Sequence, residues 1–175
     1  MSIDIGTAIF HRTRGAGRVI DVETREWQGE STRYLVVEMM ANGDTLRIPE
    51  TSHYVRQALS DAGIIFKTLH HEPQGLPSNY RSRQAEVRDA LKSGEPEKVA
   101  AAARDIRSYA ESEQGSWTRG GKRLYERALR MLAAEVALSQ DCDMSSARTK
   151  VTDAMQGGWR EASADVPEIE ESQDA

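Results

Sequence analysis

The sequence predicts an α+β fold, with strands first and helices after. Three observations carry that expectation. Turn signals break the first fifty residues into short runs of alternating or β-branched residues. Residues from about 78 to 155 place apolar side chains at helical spacing behind recognisable caps. No apolar run in the 175 residues is long enough to span a bilayer.

The strands come in order. Thr7–Phe10 reads as a short first strand, and Gly15-Ala16-Gly17 reads as the turn after it. Arg18–Arg25 follows, alternating from Val19 on. Gln28-Gly29-Glu30 marks the next turn. Tyr34–Met39 is the most apolar strand and is expected to be central. Asn42-Gly43-Asp44 is a hairpin signal, since Asn-Gly tolerates positive φ. Thr45–Ile48 ends at Pro49, which cannot donate to a ladder. Strands this short and this many suggest a small, strongly bent sheet or barrel.

After Pro49 the pattern turns helical. Ser52 is a cap for a short helix toward Leu59, and Asp61 for another through Ile64, Ile65 and Leu69. Residues 71–79 hold two prolines and a glycine and read as the linker, leaving 1–70 as the β module. Ser78 or Asn79 caps a helix to about Lys92, closed by Ser93-Gly94. Pro96 starts the next helix, whose apolar face is Val99, Ala102, Ala103, Ile106 and Tyr109. Thr118 caps a long helix, and Met144 begins a last short one to about Met155. The helical module is thus residues 80–157, and 158–175 reads as a disordered acidic tail.

Charge is unevenly spread. The chain is 29% charged with net charge -5. Residues 1–76 carry net -2, residues 77–135 net +3, and residues 136–175 net -6. The acidity therefore belongs mainly to the C-terminal segment and says little against a basic surface upstream. A single cysteine, Cys142, allows no internal disulfide. The opening residues carry no secretory pattern. The expectation is a soluble, cytoplasmic monomer.

Catalytic constellations are scarce. No phosphate-binding Gly-rich loop with Lys-Ser/Thr and no Gly-x-Ser-x-Gly elbow occurs. The four histidines lack metal-ligand spacing, and Cys142 sits between Asp141 and Asp143, which oppose thiolate formation. The reading is non-enzymatic, with no metal and no cofactor.

Binding chemistry remains. Arg25 and Trp27, two apart on a strand, share a face, and Arg47 follows Thr45 in the same relation. Arginine beside an aromatic suits a protein interface, although Trp27 packed into the core with Arg25 solvated fits the spacing equally. In the helical module, Tyr80, Arg81 and Arg83 open one helix, and Lys122 and Arg123 lie in the first turn of another. Helix N-termini dressed with cations suit a phosphate backbone, and an aromatic at the edge suits exposed bases. Alternatively, Tyr80 packs between helices and the arginines pair with Glu86, Asp89 and Glu126.

These residues stand in an order that resembles a known family. Ile5-Gly6, Gly15-Ala16, Arg25…Gly29, Tyr34-Leu35-Val36-Val37 and Arg47-Ile48-Pro49 are followed by Asn79-Tyr80-Arg81-Ser82-Arg83, Lys92-Ser93-Gly94-Glu95, Arg104-Asp105-Ile106, Gly120-Gly121-Lys122-Arg123 and Leu132-Ala133-Ala134-Glu135. The series, over roughly residues 3–155, resembles the CarD/CdnL family of bacterial RNA polymerase-binding regulators. The resemblance implies a Tudor-like N-terminal β-barrel that docks on the lobe of the polymerase β subunit. It also implies a helical domain that touches promoter DNA, without reading sequence, at the upstream edge of the transcription bubble, near the housekeeping sigma factor. Arg25 and Arg47 then match polymerase-contacting arginines, and Lys122 and Arg123 a DNA-backbone contact. Tyr80 stands where the family usually has a wedging tryptophan. Ser82 and Ala85 stand where many members are basic, and Glu50 to Leu59 is shorter than usual. The alternative is a polymerase adaptor whose helical module makes little or no DNA contact.

Overall fold

The computed structural model describes residues 3–112 and 115–164. Five antiparallel strands come first: β1 (Ala8–His11), β2 (Gly15–Trp27), β3 (Glu30–Met39), β4 (Thr45–Pro49) and β5 (Val55–Gln57). Five helices follow: α1 (Gly63–His70), α2 (Tyr80–Ser93), α3 (Pro96–Glu111), α4 (Arg119–Gln140) and α5 (Met144–Ala164). The strand order is β4-β3-β2-β1-β5.

Turn chemistry sets the register. Gln28 and Gly29 both take positive φ, 52° and 84°, so a two-residue turn joins Trp27 to its partner Glu30. Pro49 ends an edge strand, as its missing donor requires. The middle strand is β2 rather than β3, which is interior but flanked by the edge strand β4. The turn after β1 falls at residues 12–14, and Gly15 already opens β2. Gly17 serves close packing instead: a Cβ there would lie 2.6 Å from the Glu38 carbonyl oxygen.

One irregularity decides which side chains face out. The β2–β3 register shifts between Val19 and Asp21, leaving Ile20 as an extra residue. Val19 opposite Val37 and Val22 opposite Leu35 both point into the barrel core, three positions apart. Without the bulge, Arg25 would share the face of Val19. With it, Asp21, Glu23 and Arg25 turn outward. The inner cluster is Ile9, Val19, Leu35, Val37, Met39 and Ile48.

Residues expected to form a short helix after Ser52 form β5 instead. It pairs with β1 through Val55, Arg56 and Gln57, so β1 is not left as a bare edge. Ala62 rather than Asp61 holds the cap position of α1, and Asp61, one residue earlier, accepts from the Gly63 amide at 2.9 Å. The expected β module extended to residue 70, but Ile65 and Leu69 of α1 are buried with the helices.

The helix ends follow the sequence closely. Asn79 Oδ1 accepts from the amides of Arg81 and Ser82, and Gly94 closes α2 at φ 67°. Pro96 opens α3, and Thr118 Oγ1 accepts from the Gly121 amide at the start of α4. The last helix runs to Ala164, longer than expected, so the first residues of the expected tail are helical. Residues 165–175 of that tail lie outside the described part.

The segment 71–79, expected as a linker, is tied down. The Gln74 amide donates to Asp105, whose carboxylate also takes Arg104 Nε at 2.7 Å. Arg104 Nη1 donates to the Thr68 carbonyl. Further on, Arg83 Nη1 donates to the carbonyls of Pro77 and Ser78.

Barrel and helices share one packed junction. Ile9 points into the barrel, and its neighbour Phe10 points the other way, into the helical core. Arg56 lies over the Phe10 ring, 4.3 Å from its centroid, and grips Glu135 of α4 with two bonds of 2.8 and 2.9 Å. The Leu59 amide donates to the same carboxylate, and Arg56 also reaches the Gly94 carbonyl. The Glu135 side chain is 2% exposed, so the arginine and the amide replace its lost hydration.

Candidate functional site

Two faces collect the residues singled out in the sequence. The first is the outer surface of β2, β3 and β4. Strand pairing sets Arg25 opposite Thr32, Glu23 opposite Tyr34, Tyr34 opposite Pro49 and Val36 opposite Arg47. Directly opposed residues share a side, and so do residues two apart. Arg25, Thr45 and Arg47 are therefore on one face. The backbone of Trp27 continues that row opposite Glu30, while its side chain lies outside the described residues.

Glu23 organises this face, and sequence reasoning passed over it. Its carboxylate accepts from Arg25 Nη2 at 2.8 Å and from Arg47 Nε at 3.1 Å. Arg25 also lies 5.8 Å from the Tyr34 ring centroid. The hydrogen bond from Arg25, and after it the Arg47 guanidinium, hold the Glu23 carboxyl below the usual carboxylate range. Both arginine side chains stay open to solvent, at 57% and 51% exposed. The result is two oriented guanidiniums with free donors, fixed by one shared anion. The signal was present in the sequence as a carboxylate two residues before Arg25.

The second face is formed where the N-termini of α2 and α4 meet. Tyr80 is the first residue of α2 and is 48% exposed. A Cβ on Gly120 would come 2.7 Å from the Tyr80 hydroxyl and 3.1 Å from Gln84 Oε1. Glycine at 120 therefore lets the tyrosine lie on the start of α4. The ring both packs between helices and shows an edge to solvent. Gln84 is buried beside it, and its Oε1 has no hydrogen-bond partner among the described residues. Arg81, which follows Tyr80 in α2, and Lys122 and Arg123, which follow Gly120 in α4, are exposed.

Arg83 does not join them. It is 8% exposed, donates to the Pro77 and Ser78 carbonyls, and stacks 3.9 Å from the Tyr109 centroid. Its charge stabilises the chain entering α2, and no guanidinium remains outward for a phosphate. Of the acidic residues expected as alternative partners, Glu126 bonds Arg148 at 2.7 Å and Asp89 lies near Lys92, while Glu86 pairs with none of these arginines among the described residues. Arg81, Lys122 and Arg123 are left without a carboxylate among the described residues.

No group of three or more His, Cys, Asp or Glu among the described residues is arranged to hold a metal. No helix among them is long and apolar enough to cross a membrane.

Two family models match the chain in this order. The CarD-like/TRCF RID domain matches residues 3–57, which are the five strands and their N-terminal approach. That domain is Tudor-like, in keeping with the antiparallel five-stranded sheet. The CarD C-terminal domain matches residues 64–152. It starts within α1, the helix that packs with the others. From a polar-faced sheet matched by one family model and a helical unit matched through residue 152 by the other, it follows that the chain belongs to the CarD family of non-enzymatic, RNA polymerase-interacting transcription factors.

Proposed function

We propose that the barrel docks on the lobe of the polymerase β subunit through Arg25, Arg47, Thr45 and Trp27, while the helical domain holds promoter DNA at the upstream edge of the bubble. The observation that carries the docking half is the Glu23 clamp, which aims two exposed arginines from one strand face. Preoriented guanidiniums lose less entropy on binding a partner's carboxylates. For the DNA half, the half-exposed Tyr80 meets the start of α4 at Gly120, and Arg81, Lys122 and Arg123 are exposed on the same two adjoining helix N-termini. An aromatic edge there can wedge at an unstacked step, and the cations meet phosphates with no base readout.

Tethering makes weak DNA contacts sufficient, because the polymerase raises the effective concentration of the helical face at the promoter. Contacts made more fully in the open than in the closed complex shift the balance toward open. The first test is capture of the isolated β lobe by the full chain. Arg47→Glu sets a second carboxylate beside Glu23 and abolishes capture; undiminished capture overturns the docking face.

A second reading, an adaptor that touches the polymerase without DNA, is favoured by one observation: Arg83 faces inward. Retention on polymerase–promoter complexes decides between them. DNA contact weakens it as salt rises, through counterion release, beyond the effect seen on polymerase alone.

A further inference from the structure

The barrel and α4 enclose a groove of about 140 Å³, lined by Thr13 and Arg14 before β2, by Gly15 at its start and by Arg127, Arg130 and Ala134 of α4. Arg127 and Arg130 are three apart and so lie on one side of the helix. Arg14 meets them from the barrel. None of these guanidiniums makes an ion pair or hydrogen bond among the described residues, and no carboxylate lines the groove.

The missing counter-charge is conspicuous because acids are close in sequence. Glu126 is four residues before Arg130, the spacing of a helical ion pair, yet it bonds Arg148. Glu135, little more than a turn further on, bonds Arg56. The barrel cannot drift from α4 to relieve the repulsion, because that same Arg56–Glu135 pair ties them together. Three like charges are thus held around one groove with low-dielectric walls, an arrangement that concentrates anions.

We propose that this groove is an oxyanion site that takes a phosphate group between Arg14, Arg127 and Arg130. Guanidinium forks match phosphate oxygens two at a time. The volume suits a phosphate or diphosphate with water and is too small for a whole nucleotide. The site lies apart from the Tyr80 face, further along α4 and against the barrel, and it does not depend on the DNA reading. The phosphate is either part of a nucleic-acid backbone or of a small phosphorylated compound.

The test is titration of the full chain with inorganic pyrophosphate at constant ionic strength, following arginine Nε–Hε resonances. Saturable shifts of Arg14, Arg127 and Arg130 are expected. Arg127→Gln weakens binding about ten-fold, the scale of one charge-assisted hydrogen bond. Arg88→Gln, which removes an exposed arginine elsewhere, leaves it unchanged. No saturable shift, or equal affinity in the Arg127→Gln/Arg130→Gln variant, overturns the proposal. A second arm identifies the source of the phosphate. If the double variant lowers the slope of log K against log salt for duplex DNA by about two, the ligand is backbone phosphate. If pyrophosphate binding is lost in that variant but the slope is unchanged, the ligand is a small phosphorylated compound. Failure of the Tyr80 face would leave both results standing.

Discussion

Glu23 holds the barrel face in shape by accepting from Arg25 and Arg47 together. Glu23→Gln keeps its size and removes its charge. Lobe affinity should fall several-fold while the melting temperature barely moves, because the group is solvent-facing. A variant that unfolds instead would make Glu23 a folding residue. The sign with pH follows from its lowered pKa. The stabilisation is complete above the ordinary glutamate range and is lost as pH falls through the lower folded-state value. A ¹³C titration of the Glu23 carboxyl should give a midpoint below that of an unpaired glutamate; a midpoint at or above it contradicts the clamp. On the helical face, Gly120 is the comparable residue. Gly120→Ala improves helix propensity by about 1 kcal/mol, yet its methyl meets the Tyr80 hydroxyl. The ring must move, and the tyrosine's aromatic resonances should report it. Unmoved resonances would mean that Tyr80 is not seated on Gly120.

Elements were legible where local chemistry sets them and illegible where a distant partner does. Asn79, Gly94, Pro96 and Thr118 mark helix ends through bonds made within a few residues, and the structure has the ends there. Asn79→Ala should cost about 1 kcal/mol in urea unfolding; no loss would show that the α2 cap is redundant. β5 has a helix-like sequence, but the open edge of β1 and the pull of Glu135 on Arg56 make it a strand. The bulge at Ile20 leaves no mark in the alternation, since simple counting from Val19 puts Arg25 on the wrong side. Spacing alone leaves the interface and core readings of Arg25 and Trp27 open, only the family resemblance favours the interface, and Glu23 goes unseen with the bulge. The sequence sets Arg83 among the phosphate-facing cations because nothing local says that Tyr109 and the Pro77 carbonyl await it.

At the scale of the whole molecule, the two units are locked rather than strung on a linker. Phe10, Arg56 and Glu135 join them, and Asp105 and Arg83 pin the segment between α1 and α2. Arg56→Ala leaves a buried carboxylate with only the Leu59 amide, and should cost about 3 kcal/mol, discounted for the partial exposure of the arginine. A loss below about 1 kcal/mol would mean that the junction is held by apolar packing alone. The lock bears on function because it fixes the distance from the Arg25–Arg47 face to Tyr80. In the proposed function, polymerase docking would then place the aromatic edge at a set point on the DNA. The most direct measurement of this account is the lifetime of the promoter open complex with wild-type protein and with Tyr80→Ala, lobe capture being checked in parallel. The account predicts a shortened lifetime with capture intact. An unchanged lifetime with capture intact would contradict it.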